Sequence, residues 1–464
     1  MLDTRRRGKS SIENRVSRIK QVFAGVSTDS RTTKAGDCFF AIPGENFDGH
    51  DYVSDAFTKG AVCAVVSKDI ASGKLAGKAI LKVNDTVKAL GDFAREYRRL
   101  CSFKVIAITG SVGKTTVRQI VYHVLSRNHR VFQSPKNFNN QIGLPLTLLG
   151  ADPEHQIVVA ELGTNHPGEI AYLTRIAQPN IAVVTNVQPA HLEGFGNLQA
   201  ITNEKLSIAE GLLEDGILII NADITLDVVS LRGAQRRGNL SKVVTFGNVD
   251  GCDYQASNII SDGYGSRFSI NNKEIKLPLA GPGNIENALA AWAVCSRFDL
   301  TIDDFARGLK TLKALPMRAE LLQLGALTVL NDCYNANPAS MKNALDILTY
   351  LDPTHKRRRV FICGDMAELG EHREQLHAEL GVAIAKAKVQ LLIAVGKLAK
   401  IAAESAEKTA SFDLQVKCFE DTLSACNNLQ KFIKDNDIIL VKGSRIAKLE
   451  MATEKLKELT ICDR

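Results

Sequence analysis

The stretch "VIAITGSVGKTTVRQI", residues 105–120, decides the fold of this chain of 464 residues. A β-rich run at 105–109 leads into a loop with two glycines, and an amphipathic run follows the loop. The apolar residues of that run recur at the spacing of one helix face. They are Val117, Ile120, Val121, Val124 and Leu125. A strand, a glycine loop and a helix in this order predict a phosphate-binding loop at the end of a buried strand.

This loop, the P-loop, is a shortened form of the usual GxxxxGK[ST] pattern, since only two residues separate its glycines. Glycines let backbone N–H groups approach phosphate oxygens, a lysine neutralises β/γ-phosphate charge, and a threonine hydroxyl binds magnesium. The alternative is an ordinary strand–helix turn with a surface lysine. The predicted nucleotide-binding residues are Gly110, Ser111, Val112, Gly113, Lys114, Thr115 and Thr116.

The composition is that of a globular protein, with 45% hydrophobic and 23% charged residues. No apolar run is long enough for a membrane span, and no apolar segment follows the basic N-terminus, so we expect neither a span nor a secretory signal. The ten cysteines are scattered without a CxxC pair. We therefore expect buried thiols in a cytoplasmic protein, without disulfides or a zinc site.

The formal net charge is +7, and two basic runs contribute to it, Arg5–Arg7 and Lys356–Arg359. A nucleic-acid surface is one reading of these runs, and solvated faces or loops are the other. Aromatic residues that could stack bases do not alternate with the charges. A small polyanionic substrate fits the same charge, and we expect no nucleic acid as a partner.

Strand-like and helix-like segments alternate along the whole chain, which predicts an α/β fold with largely parallel sheets covered on both faces. We expect three domains: an N-terminal α/β domain (1–100), a central P-loop ATPase-type domain (101–315) and a C-terminal Rossmann-like domain (316–464). Helices are expected near 51–59 and 85–100. Beyond the strand of the P-loop, strands are expected at 36–44, 61–67, 79–83, 156–162, 180–187, 216–223, 242–247, 327–332, 359–363, 390–395 and 437–442.

Two polar residues follow neighbouring strands of the central segment. Glu161 ends "IVVAEL", and His191 comes shortly after "IAVVTNV". In a doubly wound sheet, ligands bind at the carboxyl ends of the strands. The carboxylate and the imidazole are therefore expected to converge on a metal near the P-loop, although a histidine with a structural role is the alternative for His191.

Further stretches carry a resemblance to a known family: "STDSRTTKAGDCFFAIPGENFDGH", "KNFNNQIGLPLTLL", "ELGTNHPGEI", "TNVQPAHLEGFG", "GPGNIENALAA", "NDCYNANPASM", "GDMAELGE" and "VKGSR". With "TGSVGKTT", the chain resembles the Mur ligases, the ATP-dependent amide-forming enzymes of peptidoglycan precursor synthesis. The resemblance is greatest to the branch that joins D-alanyl-D-alanine to UDP-N-acetylmuramoyl-tripeptide through an acyl phosphate. It implies ATP, two magnesium ions, those two substrates and a monomeric cytoplasmic enzyme.

The resemblance also implies metal ligands. Thr115 and Glu161 would hold the first magnesium, and Glu161 and His191 would help to hold the second. Lys205, fourteen residues past His191, matches the position of a lysine carbamylated by carbon dioxide, and a solvated helix lysine is the alternative. Its neighbours Glu204 and Leu206 depart from the small residues that the family pattern favours.

The remaining implied residues contact ATP or the two substrates. Lys114, Glu161, His191, Lys205 and Arg318 form the implied catalytic set. Asn284 and Asn287 would lie near adenine (helix capping is the alternative for Asn284), Arg318 near the γ-phosphate and Asp332 near the ribose.

The implied substrate-binding residues are Ser30, Arg31, Asn137, Asn140 and Asn335, beside Thr28, Asp29, Gly49, His50, Asn139 and Asn337. For the residues near UDP, simple turn chemistry is the alternative. "GDMAELGE" and "VKGSR" (Lys442, Ser444, Arg445) are candidates for the dipeptide.

Two rival functions stay open at this stage. One is another ligase of the superfamily, of the third-residue-adding, folylpolyglutamate or cyanophycin type. The other is a regulatory or nucleic-acid-binding protein that uses the P-loop as a switch.

Overall fold

The computed structural model describes residues 23–70, 77–227 and 242–462. The chain forms two compact units. The first, residues 1–101 and 141–152, contains a parallel sheet in the order β1 (Gly25–Ser27), β2 (Asp37–Phe40), β3 (Cys63–Val66) and β4 (Ala79–Lys82). Helix α1 (Val53–Thr58) packs on one face, and α2 (Thr86–Leu100) and α4 (Gly143–Gly150) pack on the other. Alternate residues of β2 face the two sides, Phe39 toward α1 and Phe40 toward α2.

The second unit, residues 102–140 and 153–464, contains the P-loop in a parallel seven-stranded sheet. Its strands are β5 (Lys104–Thr109), β6 (Val131–Gln133), β7 (Ile157–Glu161), β8 (Ile181–Val184), β9 (Ile217–Asn221), β10 (Lys242–Gly247) and β11 (Tyr254–Gln255). The spatial order is β11-β10-β9-β8-β5-β7-β6. Because β5 lies between β7 and β8, the loops that follow β7 and β8 flank the P-loop on both sides.

Helices surround this sheet: α3 (Lys114–Leu125), α5 (Glu169–Ala177), α6 (Leu192–Phe195), α7 (Leu198–Leu206), α8 (Pro282–Cys295) and α9 (Ile302–Leu309). A small antiparallel sheet, β12 (Ser257–Ser261), β13 (Ser266–Ile270) and β14 (Lys273–Leu277), adds a further layer. One apolar core joins these parts, and it includes Val121 of α3, Leu289 of α8 and Phe268 of β13. The predicted apolar face of α3 is buried in this core.

The same unit contains a six-stranded sheet in the order β15-β16-β20-β17-β18-β19. Its strands are β15 (Glu320–Leu324), β16 (Leu327–Asn331), β17 (Arg359–Gly364), β18 (Leu391–Val395), β19 (Gln415–Phe419) and β20 (Ile438–Lys442). Only β15 runs antiparallel to its neighbour. Its helices are α10 (Pro338–Leu351), α11 (Arg373–Lys386), α12 (Lys397–Thr409), α13 (Thr422–Cys426) and α14 (Glu450–Cys462).

The α/β prediction with parallel sheets is confirmed, and each predicted strand and helix is present with somewhat different ends. Strands β12 to β14 were not predicted, because their exposed polar residues do not form the continuous apolar runs of a buried parallel strand. The boundaries near residues 101 and 315 stay predictions.

Three smaller findings concern cysteines, charge and membranes. The nine cysteines whose side chains are described are free thiols, and six of them are buried.

In the run Lys356–Arg359, Arg358 pairs with Asp437 at 2.7 Å, and Arg359 is buried with its guanidinium on backbone carbonyls. These two arginines therefore have internal partners, while the run Arg5–Arg7 lies outside the described residues. No helix in the described ranges is long and apolar enough to cross a membrane.

Candidate active site

The loop between β5 and α3 has the backbone that phosphate binding requires. Gly110 has φ 143° and Gly113 has φ 90°, values that residues with a side chain rarely adopt. A Cβ atom on Gly110 would lie 2.0 Å from the Thr185 hydroxyl, and one on Gly113 would lie 2.2 Å from the Asn287 side-chain oxygen. Both positions therefore require glycine. Helix α3 begins at Lys114, directly after the second glycine.

The residues after β8 support the P-loop through hydrogen bonds. The Asn186 side chain accepts from the Val112 N–H at 2.9 Å and donates to the Val112 carbonyl at 3.0 Å. Thr185 Oγ1 donates to the same carbonyl at 2.6 Å, and the Ser111 hydroxyl donates to the Gln188 carbonyl at 2.9 Å. Sequence reasoning missed these supporting residues, although polar side chains directly after a buried strand were an available signal.

The ammonium of Lys114 points back into the P-loop. Its Nζ donates a hydrogen bond to the Gly110 carbonyl at 2.7 Å. Burial lowers the pKa of Lys114, Glu161 opposes that shift, and Arg318 adds to it. The lysine thus lies inside the loop, where a triphosphate would meet its charge, and not on the outer surface of an ordinary turn.

A buried carboxylate lies beside the P-loop. Glu161, at the end of β7, is 3% exposed. Its Oε2 accepts from Thr115 Oγ1 at 2.9 Å, its Oε1 accepts from Asn139 Nδ2 at 3.0 Å, and Arg118 Nη1 lies 3.5 Å from Oε2. A hydroxyl and a carboxylate in contact are oxygen ligands of the kind that magnesium prefers. In the described part of the chain no group of three His, Cys, Asp or Glu residues could hold a metal.

Lys205 lies on α7 and is 1% exposed, so the alternative of a solvated helix lysine is wrong. Burial lowers its pKa well below the usual value, and the charge of Lys114 lowers it further. The neighbouring Glu204 has a structural role, because its carboxylate accepts from the backbone N–H groups of Gly168 at 2.7 Å and Ile170 at 2.8 Å. This contact explains a carboxylate where the family pattern favours a small residue.

His191 follows β8 in a left-handed conformation, with φ 54°. Its Nδ1 contacts the carboxylate of Glu368, which belongs to the "GDMAELGE" stretch after β17. The hydrogen bond from His191 lowers the pKa of Glu368. Among the described residues, no hydrogen bond or ion pair joins Glu161, His191 and Lys205: Glu161 contacts Thr115, His191 contacts Glu368, and Lys205 lies within α7.

Three residues predicted to bind ATP line one groove: Thr116, Asn284 and Arg318. Asn287 Nδ2 donates to Asn284 Oδ1 at 3.0 Å, so the two asparagines share one helix face as predicted. The residue that caps α8 is Gly281. The alternative assignment of Asn284 as the helix cap is therefore wrong.

Arg318 lies before β15 and Asp332 directly after β16, and each has a defined partner. The Arg318 guanidinium lies 4.0 Å from the centre of the Tyr334 ring. Asp332 accepts from Lys442 Nζ at 2.6 Å and from the Ala319 N–H at 2.9 Å. Lys442 is buried in this contact, which makes it an internal partner of Asp332.

The other asparagines divide into exposed and structural groups. Asn137, Asn140 and Asn335 are exposed. Asn337 is instead the N-terminal cap of α10, and Asn139 donates to Glu161. The exposed group has surface available for a substrate.

In the first unit, the "DSR" residues form a charged turn. Arg31 donates to Asp29 through Nε at 2.9 Å and Nη2 at 2.7 Å, and the Arg31 side chain is 86% exposed. Ser30 is buried. The nearby His50 is also buried, and its Nε2 accepts from the Ser67 N–H at 2.9 Å. His50 thus has a structural role here, whereas Arg31 presents a cation to solvent.

Three family models match the chain: the Mur ligase family catalytic domain at residues 22–98, the Mur ligase middle domain at 108–295 and the Mur ligase glutamate ligase domain at 317–445. The chain is similar to the UDP-N-acetylmuramoyl-tripeptide–D-alanyl-D-alanine ligase of Bacillus subtilis, with 35% identity over 94% of each chain.

Solved structures give the same result. The chain is similar to MurF from Acinetobacter baumannii, with a TM-score of 0.83 and 33% identity over 93% of each chain. It is also similar to MurF ligase from Thermotoga maritima in complex with ADP, with a TM-score of 0.81 and 27% identity over 95% of this chain and 98% of that one.

Proposed function

The chain belongs to the Mur ligase family, and we propose that it is the ATP-dependent ligase that joins D-alanyl-D-alanine to UDP-N-acetylmuramoyl-tripeptide. The main support for ATP-dependent chemistry is the contact between the Thr115 hydroxyl and the buried Glu161 carboxylate, beside a P-loop that contains Lys114. The support for the two substrates is the similarity to the Bacillus subtilis ligase over nearly the whole chain.

The reaction needs activation because a carboxylate is a poor electrophile. The γ-phosphoryl group of ATP is transferred to the terminal carboxylate of the tripeptide, which leaves ADP and an acyl phosphate. The amine of D-alanyl-D-alanine attacks the acyl carbon, loses a proton, and expels phosphate as the amide bond forms. Phosphoryl transfer depends mostly on positioning and charge stabilisation, in accordance with a site of cations and backbone donors.

The chain's own groups supply that positioning. Backbone N–H groups of the P-loop and the positive end of α3 would bind the phosphates. Lys114 would exchange its bond to the Gly110 carbonyl for one to the β- and γ-phosphates. Arg318, Asn284, Asn287 and Asp332 would contact the rest of ATP, and a relative that binds ADP supports nucleotide binding.

Magnesium fits the residues present. Thr115 and Glu161 would hold the first ion, and Glu161, His191 and a carbamylated Lys205 would hold the second. When bound, the ions neutralise charge on the transferring phosphoryl group.

Carbamylation of Lys205 is supported by its burial and its lowered pKa. A neutral amine can attack carbon dioxide, and loss of one proton then leaves an anionic carbamate. An ammonium at this position would repel magnesium, whereas a carbamate would bind it.

For the substrates, we propose that Ser30 and Arg31 bind the UDP group and that Asn137, Asn140 and Asn335 line the peptide end. The exposed guanidinium of Arg31 supports the first assignment. We further propose that the enzyme acts as a monomer in the cytoplasm.

The direct test is phosphate release by the purified protein. We expect release from ATP only when UDP-N-acetylmuramoyl-tripeptide and D-alanyl-D-alanine are both present. Release with a single amino acid in place of the dipeptide would favour another ligase of the superfamily. A steep salt-dependent affinity for DNA or RNA that ATP does not change would favour the regulatory alternative.

A further inference from the structure

A buried arginine that the proposed mechanism does not use lies next to Glu161. Arg118 is one helical turn after Lys114 on α3, and it is 5% exposed. Its Nη1 lies 3.5 Å from Glu161 Oε2 and donates to the Lys136 carbonyl at 2.8 Å. In the described structure its Nε is buried without a hydrogen-bond partner. The buried guanidinium of Arg118 therefore leaves one of its hydrogen-bond donors, the Nε–H group, without an acceptor.

The position is electrostatically unfavourable for a third cation. Lys114 and Arg318 already place positive charge beside Glu161, which is the anion that Arg118 contacts. Burial lowers the pKa of Arg118, and Arg318 lowers it further, yet a guanidinium keeps its proton in proteins. A permanent positive charge thus lies against the carboxylate that would receive a divalent cation.

A buried carboxylate without a cation would be costly to keep ionised. The hydrogen bonds from Thr115 and Asn139 orient Glu161 but bring no net charge. Arg118 is the cation in ion-pair contact with Glu161 and brings that charge in the metal-free enzyme, while Lys114 acts on Glu161 without an ion-pair contact. The same charge opposes a divalent ion that arrives alone, whereas a bound nucleotide adds the negative phosphates that offset it.

We propose that Arg118 is a positioning residue that serves as the counter-cation of Glu161 and makes metal binding depend on a bound nucleotide. This inference rests on the proposed function, since it assigns the metal to Glu161 and Thr115. The competing explanation is a purely structural role, in which Arg118 only anchors the loop around Lys136.

The test uses Mn²⁺ as an EPR-visible ion, titrated into the full-length protein with and without ADP. Without ADP, we expect Arg118→Gln to lower the half-saturating Mn²⁺ concentration about tenfold. This is the size of the effect expected when the repulsion of one positive charge a few Å from the ion is removed in a water-like dielectric. Arg118→Lys keeps the charge and should bind Mn²⁺ as the wild type does. Arg359→Met, which removes another buried arginine, is the matched control and should leave the metal titration unchanged.

A second measurement keeps the inference testable if the neutral variant folds poorly. In metal-free buffer, removal of Arg118 should lower the free energy of unfolding less in a Glu161→Gln background than in the wild type, because the carboxylate that needs the charge is gone. Unchanged or weaker Mn²⁺ binding by Arg118→Gln, or equal losses in both backgrounds, would overturn the inference. A wild type that binds no Mn²⁺ even with ADP would instead contradict the proposed function.

Discussion

Two sheet edges of this molecule place polar residues at the carboxyl ends of parallel strands, but the charged side chains are buried at one edge and exposed at the other. At the edge of the seven-stranded sheet, Glu161 and Lys205 are buried, and the pKa of Lys205 is lowered well below its usual value. At the edge of the four-stranded sheet, Arg31 is exposed and pairs with Asp29. Buried charge is costly and persists where chemistry requires it. Under the proposed function, the first edge carries out the reaction and the second binds the UDP group.

The largest expected effect comes from the reactive edge. Lys114→Ala should reduce kcat by about 10³-fold, because the γ-phosphate loses its counter-charge as the phosphoryl group moves. Phosphate release with both substrates measures this effect. Lys104→Ala, an exposed lysine at the start of β5, is the control and should retain activity. A nearly normal kcat for Lys114→Ala would contradict the proposed role of the P-loop in binding the γ-phosphate.

Lys205→Ala should reduce kcat on the order of 100-fold, the usual effect of losing a group that supports a metal site. If the lysine acts as a carbamate, formate or acetate should partly restore activity, since a small carboxylate can occupy the space left by the side chain. The same additives should not restore Lys114→Ala. Mass spectrometry of native protein in bicarbonate should show the added carbon dioxide, and loss of activity without any rescue would count against the carbamate.

The two glycines with similar backbone angles offer a smaller, matched comparison. Gly113 and Gly168 have φ 90° and 87°, but a Cβ atom on Gly168 would meet nothing within 4 Å. Gly168→Ala should lower the free energy of unfolding by about 1 kcal/mol, the cost of the left-handed backbone. Gly113→Ala should lower the free energy of unfolding by about 1–3 kcal/mol more than Gly168→Ala does, because of the clash with Asn287. It should also weaken ADP binding. Equal losses in denaturant unfolding would show that the P-loop can relax around a side chain.

The binding edge should show the smallest effect on the chemical step. Arg31→Ala should raise KM for UDP-N-acetylmuramoyl-tripeptide about tenfold, the order of one lost charged hydrogen bond, and leave kcat and KM for ATP unchanged. Arg95→Ala, which removes a partly exposed arginine with an acidic partner, is the control for the loss of positive charge alone. A fall in kcat for Arg31→Ala would mean that this edge also takes part in the reaction.

The sequence predicted the P-loop and the buried parallel strands well, because a glycine loop and continuous apolar runs are local signals. It missed the short or partly exposed parallel strands β1, β6, β11 and β19, which lack such runs. It could not predict which side chains would meet. Thr115 and Glu161 are 46 positions apart and touch, whereas His191 contacts Glu368, a residue from a distant loop. The burial of Lys205 was likewise hidden, because a lysine in a polar helix looks solvated until the sheet and its loops enclose it.

The proposed reaction passes the γ-phosphoryl group to the carboxylate of the tripeptide before the amide forms. This order can be tested with UDP-N-acetylmuramoyl-tripeptide carrying ¹⁸O in its terminal carboxylate. We expect the phosphate released in a complete reaction to contain one ¹⁸O atom from that carboxylate. Phosphate without ¹⁸O, formed while the amide product accumulates, would rule out an acyl phosphate.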